Sequence, residues 1–556
     1  MKKGFMLPTT LLILLFSVIV LSVIYNTVSN HMTNVQRVSS YKELELHVSN
    51  ALQIGIGYVR TASSGLLGIN LTTTSYTPIW WDEFRTKLDQ NWRDYVDQWI
   101  YNDKSFCVFD KSRGIHSNQI LRDEFESYSA EYNLSDVAVY VFPFRNTKMR
   151  MFVVARVVKD NKSVYSYAVV MPELLNKYVY FSHDEGENIW FTSRTRIYGP
   201  FRSNSMIRIN NAGGKPYFQD TVEVPGFIRH TGNPREITAN TPNYDQIIRS
   251  LADFGGNPAY RLISDAERNE LDFTAIKDEY KQLLNNHFVL EINQFKNNST
   301  NPMGLKITSS SNLYLSVDAN TSKIKIVIGN TKYEISWTQL PDAIVEIFAK
   351  QGSNWRRTEG PYSVKFNGII YSTENINLGD TSTENMSYSG NLTLFSEKDI
   401  NIYRRIITPT IQQWLIQNLG PNALSTAVPD NKIQELLSYV EQNETSSLNI
   451  VAGNNVVIKR KLNNMKIVAS IYAFDGQFTV ENYNQGSPKG QLFVLGSIMQ
   501  KTRGPVGTFN PNTGQTRTGY YHGYVHDPRI LSGNYTPAGT PSRSSRISVS
   551  VFGIVR

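Results

Sequence analysis

The sequence predicts an α+β fold, a long N-terminal helix packed on an antiparallel sheet, with a large all-β solenoid inserted into that sheet. Three observations carry this. One apolar stripe (Val35, Val38, Tyr41, Leu44, Val48, Leu52, Ile56) recurs at intervals of three and four, the helical period. The runs VAVYVFPFR, MRMFVVARVV and SVYSYAVVMP follow one another from residue 136, and a fourth clean strand, RISVSVFGIV, comes only at 546–555. Between them, short strand ends, polar turns and new short strands recur about every 20–25 residues, as stacked coils require.

The helix starts in a segment free of charge. Lys2, Lys3 and Gly4 precede a run from Phe5 to Asn30 with no charged side chain. About twenty apolar residues, Phe5 to Tyr25, are enough to span a bilayer. The two lysines would hold the N-terminus in the cytoplasm. A signal peptide has a shorter apolar stretch and a small-residue cleavage site after it, and neither fits here. Gly55 and Gly57 weaken the helix near its end.

This opening resembles that of type IV pilin-like proteins: a short basic leader, Gly4 before Phe5, the charge-free run and the long amphipathic continuation. The resemblance implies that a prepilin peptidase cuts between Gly4 and Phe5 and methylates the new amine. It also implies Glu at the fifth mature position, where this chain has Thr9. Subunits without that Glu resemble minor pilins at filament tips and large K-type pseudopilins. An unpaired carboxylate in the membrane would be costly. A plain single-pass anchor remains the alternative.

The chain therefore divides into a leader (1–4), an N-terminal helix (5–60, spanning the membrane at 5–25), a globular head (61–174 and 544–556) and an inserted β-solenoid (175–543). In the head, Phe84, Leu88, Trp92, Val96 and Trp99 predict a helix over 82–101, with Trp80 and Trp81 as the lid of a local core. In the insertion, Tyr371-STEN-Ile376, Phe395-SEKD-Ile400 and Val451-AGNN-Val456 are variants of one unit. Helical stretches at about 266–287 and 409–442 are expected to pack on or cap the coils. Tracts such as FNGIIYSTENINLGD and GYYHGYVHDPRI resemble a domain of unknown function of thermophile surface proteins. The whole plan resembles the large minor pilins of thermophile competence systems, which implies a pilus-tip subunit contacting extracellular DNA.

No nucleophile, metal or phosphate-loop motif is present, so neither an enzyme nor a cofactor is expected. Cys107, the single cysteine of 556 residues, reads as a buried small apolar residue. The turn acids Glu374, Glu397, Asp399 and Asp475 would matter only in a polysaccharide-active solenoid enzyme, and exposed turn acids are ordinary. HDPR at 526–529 reads as a turn with a local ion pair. The net charge is +8, and its excess is concentrated after residue 500. Lys501, Arg503, Arg517 and Arg529, with Tyr520, Tyr521 and Tyr524, are the candidate DNA surface: arginines for phosphates, aromatics for bases. The competing reading fixes Arg503 and Arg529 in internal ion pairs. The expected partners are other pilin subunits, the inner membrane before assembly, the prepilin peptidase, and extracellular DNA or surface polysaccharide. The expected location is the bacterial inner membrane as precursor, then the cell surface or pilus tip. A membrane-anchored adhesin or glycan-binding protein is the alternative function.

Overall fold

The structure, a computed structural model, describes residues 38–57, 77–100, 105–117, 119–144, 151–268, 272–531, 539–540 and 542–556. They form two compact units, one of residues up to 172 together with 545–556, the other of 173–544.

The first unit is a six-stranded sheet. Its order is Ile115–His116, Phe106–Asp110, Asp136–Pro143, Met151–Lys159, Lys162–Leu174 and Ser542–Val555. The three long sequential strands form the antiparallel meander, with Val139 opposite Ala155 and Ala155 opposite Ser166. Strand alternation sends Val137, Val139 and Val141 to one face, where they share a core with Leu44, Val48 and Leu52 of the helix at 38–57. Gly55 allows that helix to lie close, because a Cβ there would come 2.5 Å from Val139 Cγ1. Ala138, Tyr140 and Phe142 face the other way, under Trp80, Trp81 and Phe84. The helix predicted over 82–101 is two helices, Trp81–Lys87 and Gln90–Trp99. Leu88 is extended, and the Asp89 carboxylate caps the second helix by accepting from the Trp92 amide at 3.0 Å.

The predicted fold class is overturned. The described residues are mostly β, and the part of the N-terminal helix among them is 38–57. No helix among the described residues is long and apolar enough to cross a membrane. The segment 5–25 and the pair Gly4–Phe5 lie outside the described residues. The class follows from proportion: the second unit builds one sheet system of 26 strands, and the sheet-rich architecture agrees with the solenoid part alone.

In the second unit the repeats stack as parallel coils. Ile370, Leu394, Ile450, Ile471, Ile498 and Tyr180 are successive register partners on one face. Ile376, Ile400, Val456 and Phe478 do the same on a second face. The polar turns between the faces are laced to one another. Asn375 Oδ1 accepts from the Asp399 amide (3.0 Å), Asp399 Oδ1 from the Asn455 amide (3.0 Å), and Asn455 Oδ1 from the Gln477 amide (3.1 Å). These bonds satisfy turn amides that would otherwise be buried without partners.

The coils do not stack in chain order. From one end the rows run Val289–Glu291, Met303–Ile307, the end of Asn354–Ser372, Asn391–Ser396, Ser447–Ala452, Lys466–Ala473 and Pro488–Thr502. Next come Tyr180–Asp184 and Thr516–His526, side by side. Beyond them lie the rows at 196–203, 217–224 and 253–262. The chain thus enters the stack in its middle, runs to one end, and must restart at the other. Ten row spacings separate Leu262 from Val289, about 48 Å at ~4.8 Å each.

The return is made by the helix Phe273–His287, about 22 Å of axis. Phe273 packs on Phe181, Lys277 pairs with Asp475, Tyr280 packs on Phe395 and Phe474, and Lys281 pairs with Glu397. These partners descend the stack from the Tyr180–Asp184 row, past Lys466–Ala473, to Asn391–Ser396. A second excursion, helices Pro409–Leu419 and Ile433–Asn443, covers the outward side chains Val468, Phe493, Leu495 and Val525. One end is closed by the helix Tyr244–Leu251, which buries Ile248 and Leu251. The other is closed by Phe295 against Phe366 and by an antiparallel meander of strands from Ser311 to Ser372. That meander leaves the second face beside Leu378 and rejoins the first beside Leu394. Both ends of the stack are therefore covered.

Candidate functional site

The basic, tyrosine-rich tract falls on the strands Pro488–Thr502 and Thr516–His526, where the two halves of the stack meet. Alternation decides which of its residues reach solvent. Tyr520 and Tyr524 have the same parity and point into the core, and Tyr521 points out. Tyr520 donates from its hydroxyl to the Leu462 carbonyl at 2.7 Å, and Tyr524 stacks on Tyr180. Burial pushes both phenols above their ordinary range.

Arg503 also points inward and is 2% exposed. Its Nη1 donates to Glu185 Oε2 at 2.8 Å, and its guanidinium lies 3.7 Å from the centre of the Phe191 ring. Tyr180 donates to the same carboxylate at 3.1 Å. His522, beside this cluster, is held neutral by its enclosure and by the Arg503 charge. Arg529 is 3% exposed. It binds Asp527 and donates to the carbonyls of Glu444 (2.8 Å) and Ser446 (2.9 Å).

Four of the seven sequence candidates, Arg503, Arg529, Tyr520 and Tyr524, therefore do not form an outward surface. A buried guanidinium with its own carboxylate has no free face for a phosphate. Lys501 is partly exposed but reaches Asp475, at 3.3 Å. It lies ten residues along the strand from Gln491, the register partner of Tyr521, which is about 33 Å of strand. Arg517 is exposed, and Tyr521 is half-buried.

The structure adds two residues that the sequence reading missed. Arg194, exposed, sits 5.5 Å from the centre of the Tyr521 ring, a cation–π distance. Arg196 lies on the adjoining strand, where Tyr524 is opposite Ile197, and its Nε donates to Asp430 at 2.8 Å. Nothing in the run SRTR at 193–196 signals a neighbour more than three hundred residues away. The outward patch is thus Arg194, Arg196, Arg517 and Tyr521.

The turn acids have structural partners. Glu374 accepts from Lys398 at 2.5 Å and Glu397 from the Tyr371 hydroxyl at 2.6 Å. Asp475 holds Lys277 and Thr274 of the return helix. Burial raises the Asp475 pKa, but those hydrogen bonds outweigh it and hold the carboxyl below its ordinary range. Among the described residues no group of His, Cys, Asp and Glu is placed to hold a metal ion. Cys107 is buried, and burial pushes its thiol up to about 12.

Fold and site together define a β-solenoid protein whose coils are permuted and whose ends are capped, with a small basic–aromatic patch on its outer face. No family model matches the sequence, and no curated protein does. Among solved structures the chain is similar to the competence-associated pilin ComZ from Thermus thermophilus. The TM-score is 0.27 and the identity 9%, over 75% of this chain and 83% of that one. At that TM-score the likeness supports no inference about fold or function, so both rest on this chain's own residues.

Proposed function

We propose that the protein is a non-enzymatic minor pilin or pseudopilin, placed at the tip of a type IV pilus-like filament, whose solenoid presents a ligand-binding surface. The observation that carries the reading is the opening sequence: Lys2, Lys3 and Gly4 before a charge-free run that begins at Phe5. In this reading the run anchors the precursor in the inner membrane and then joins the filament with other pilin subunits. Prepilin peptidase would process it between Gly4 and Phe5. The structural engagement of the turn acids supports a scaffold over a polysaccharide-active enzyme.

The test is mass spectrometry of the N-terminus of protein extracted from membranes or filaments. A chain beginning at N-methylated Phe5 is expected. A chain that still begins at Met1 would remove the filament reading and leave a membrane-anchored adhesin.

The proposed ligand of the outward patch is extracellular DNA, with Arg194 and Arg517 on phosphates and Tyr521 beneath a base. Titration of fluorescent single-stranded DNA over a salt series should show a steep fall in affinity. Replacing Arg194 and Arg517 by Ala should flatten the slope by roughly one to two units. A slope unchanged by those substitutions would exclude the patch.

A further inference from the structure

The antiparallel meander that closes one end of the solenoid has an outward face with a groove in it. The groove measures about 440 Å³, within the range of pockets that take small molecules. Its lining is unusual in one respect. Five hydroxyl-bearing residues, Ser299, Thr321, Ser336, Thr338 and Ser363, line it, and none of their side chains hydrogen-bonds to another described protein group. By contrast, Ser396 donates to Glu374 O at 2.8 Å, and Thr408 caps a helix. Strand pairing holds the groove residues in place, with Ser336 opposite Ile344 and Ile344 opposite Ser363. The groove therefore exists before anything occupies it.

Its other features narrow the occupant. Ile344 is 45% exposed and offers an apolar surface between the hydroxyls. Asp342 and Lys365, also in the lining, are paired at 2.5 Å, so they bring an acceptor and a donor together with no net charge. Lys323, opposite Ser336 on the neighbouring strand, is already on Glu334 at 3.3 Å. No aromatic face is open here, since Trp337 is buried in the core. A phosphate backbone would find neither free positive charge nor a stacking platform. A hexose ring, with hydroxyls around its rim and an apolar C–H face, would find a partner for each.

We propose that this groove binds a neutral hexose-based glycan chain, its ring seated on Ile344 and its hydroxyls on the Ser/Thr side chains and the Asp342–Lys365 pair. This site is separate from the Arg194–Tyr521 patch and does not depend on the filament reading.

The full-length protein in detergent would be titrated calorimetrically with maltohexaose, cellohexaose and chitohexaose, and with hexagalacturonate and a dT dodecamer as charged comparators. At least one neutral hexasaccharide should bind. The double substitution Ser336→Val/Ser363→Val should weaken it about tenfold, the loss of two hydrogen bonds at roughly threefold each. Thr338→Trp, which fills the rim from an exposed position, should abolish binding without moving the unfolding midpoint, and it serves if the double variant does not fold. Failure of all three neutral sugars to bind overturns the proposal. So does affinity unchanged by Thr338→Trp, or binding by the charged probes alone.

Discussion

Lys466 has no exposed surface, and its Nζ donates to the carbonyls of Leu424 and Thr426, in the linker of the helical hairpin. Burial, and then the nearby Arg405 guanidinium, push its ammonium down to about 7. In an unfolded chain a lysine titrates near ~10.4. Between those values the unfolded state binds the extra proton, so stability rises with pH. The contribution is complete above the unfolded value and is lost as pH falls towards 7. The denaturant midpoint of the wild type should therefore rise relative to Lys466→Met between pH 7 and 9.5. The differential is on the order of a few kcal/mol, from 1.36 kcal/mol per pKa unit. Parallel pH curves for the two proteins would exclude the effect. Single residues of this kind were poorly legible in the sequence. Lys466 stands in NNMKIVAS with no mark of burial, and Arg503 could not be placed because its carboxylate, Glu185, lies 318 residues away, whereas the Asp527–Arg529 pair is local and legible in HDPR. The parity of Tyr520, Tyr521 and Tyr524 was readable in principle, since adjacent strand residues face opposite ways.

Helices in this protein act as covers for sheet faces that would otherwise be bare. The outward side chains Tyr371, Phe395 and Tyr472 are buried although they lie on the outside of the coils, and the return helix with Tyr280 is what covers them. Burying such aromatics contributes in proportion to the apolar area removed from water, roughly 25 cal/mol per Å². Tyr280→Ala should cost about 3–5 kcal/mol, as for other large core truncations. Lys281→Ala, which breaks a partly exposed pair with Glu397, should cost under about 1 kcal/mol. The check is the denaturant midpoint of each variant, and equal costs would show that the helix is held by charge rather than by packing. The helix itself was legible, because Phe273, Ile276, Tyr280 and Leu284 keep its period. Its role was not, because a return strut is needed only when the coils are permuted. The end-closing meander was missed although SKIKIVIGNTKYEISW alternates clearly about an IGNT turn.

At the scale of the whole molecule the repeats of the form Tyr371-STEN-Ile376 were enough to reveal stacked coils, because their turns bond to one another at a fixed offset. The order of the rows was not readable, since every row offers a similar edge and only side-chain fit selects its neighbour. Neither was the mostly-β balance, which the apolar helical stripe outweighed in the sequence. Solenoids open from their ends, and here the ends are at Asp253–Leu262 and Val289–Glu291, near the middle of the described chain. Amide exchange should accordingly be fastest there. It should be among the slowest at Tyr180–Asp184, the first strand of the unit in sequence. Fast exchange at Tyr180–Asp184 would contradict the row order. Arg503 and Glu185, which meet across the adjoining row, are 318 residues apart. At 5–20 residues per second of synthesis, a growing chain waits roughly 15–60 s between making one and making the other. Throughout that interval the edge of Tyr180–Asp184 lacks its neighbour and is open to the Pro488–Thr502 strand of another copy. The pace of translation between residues 262 and 488 therefore governs how often two molecules exchange coils instead of closing their own.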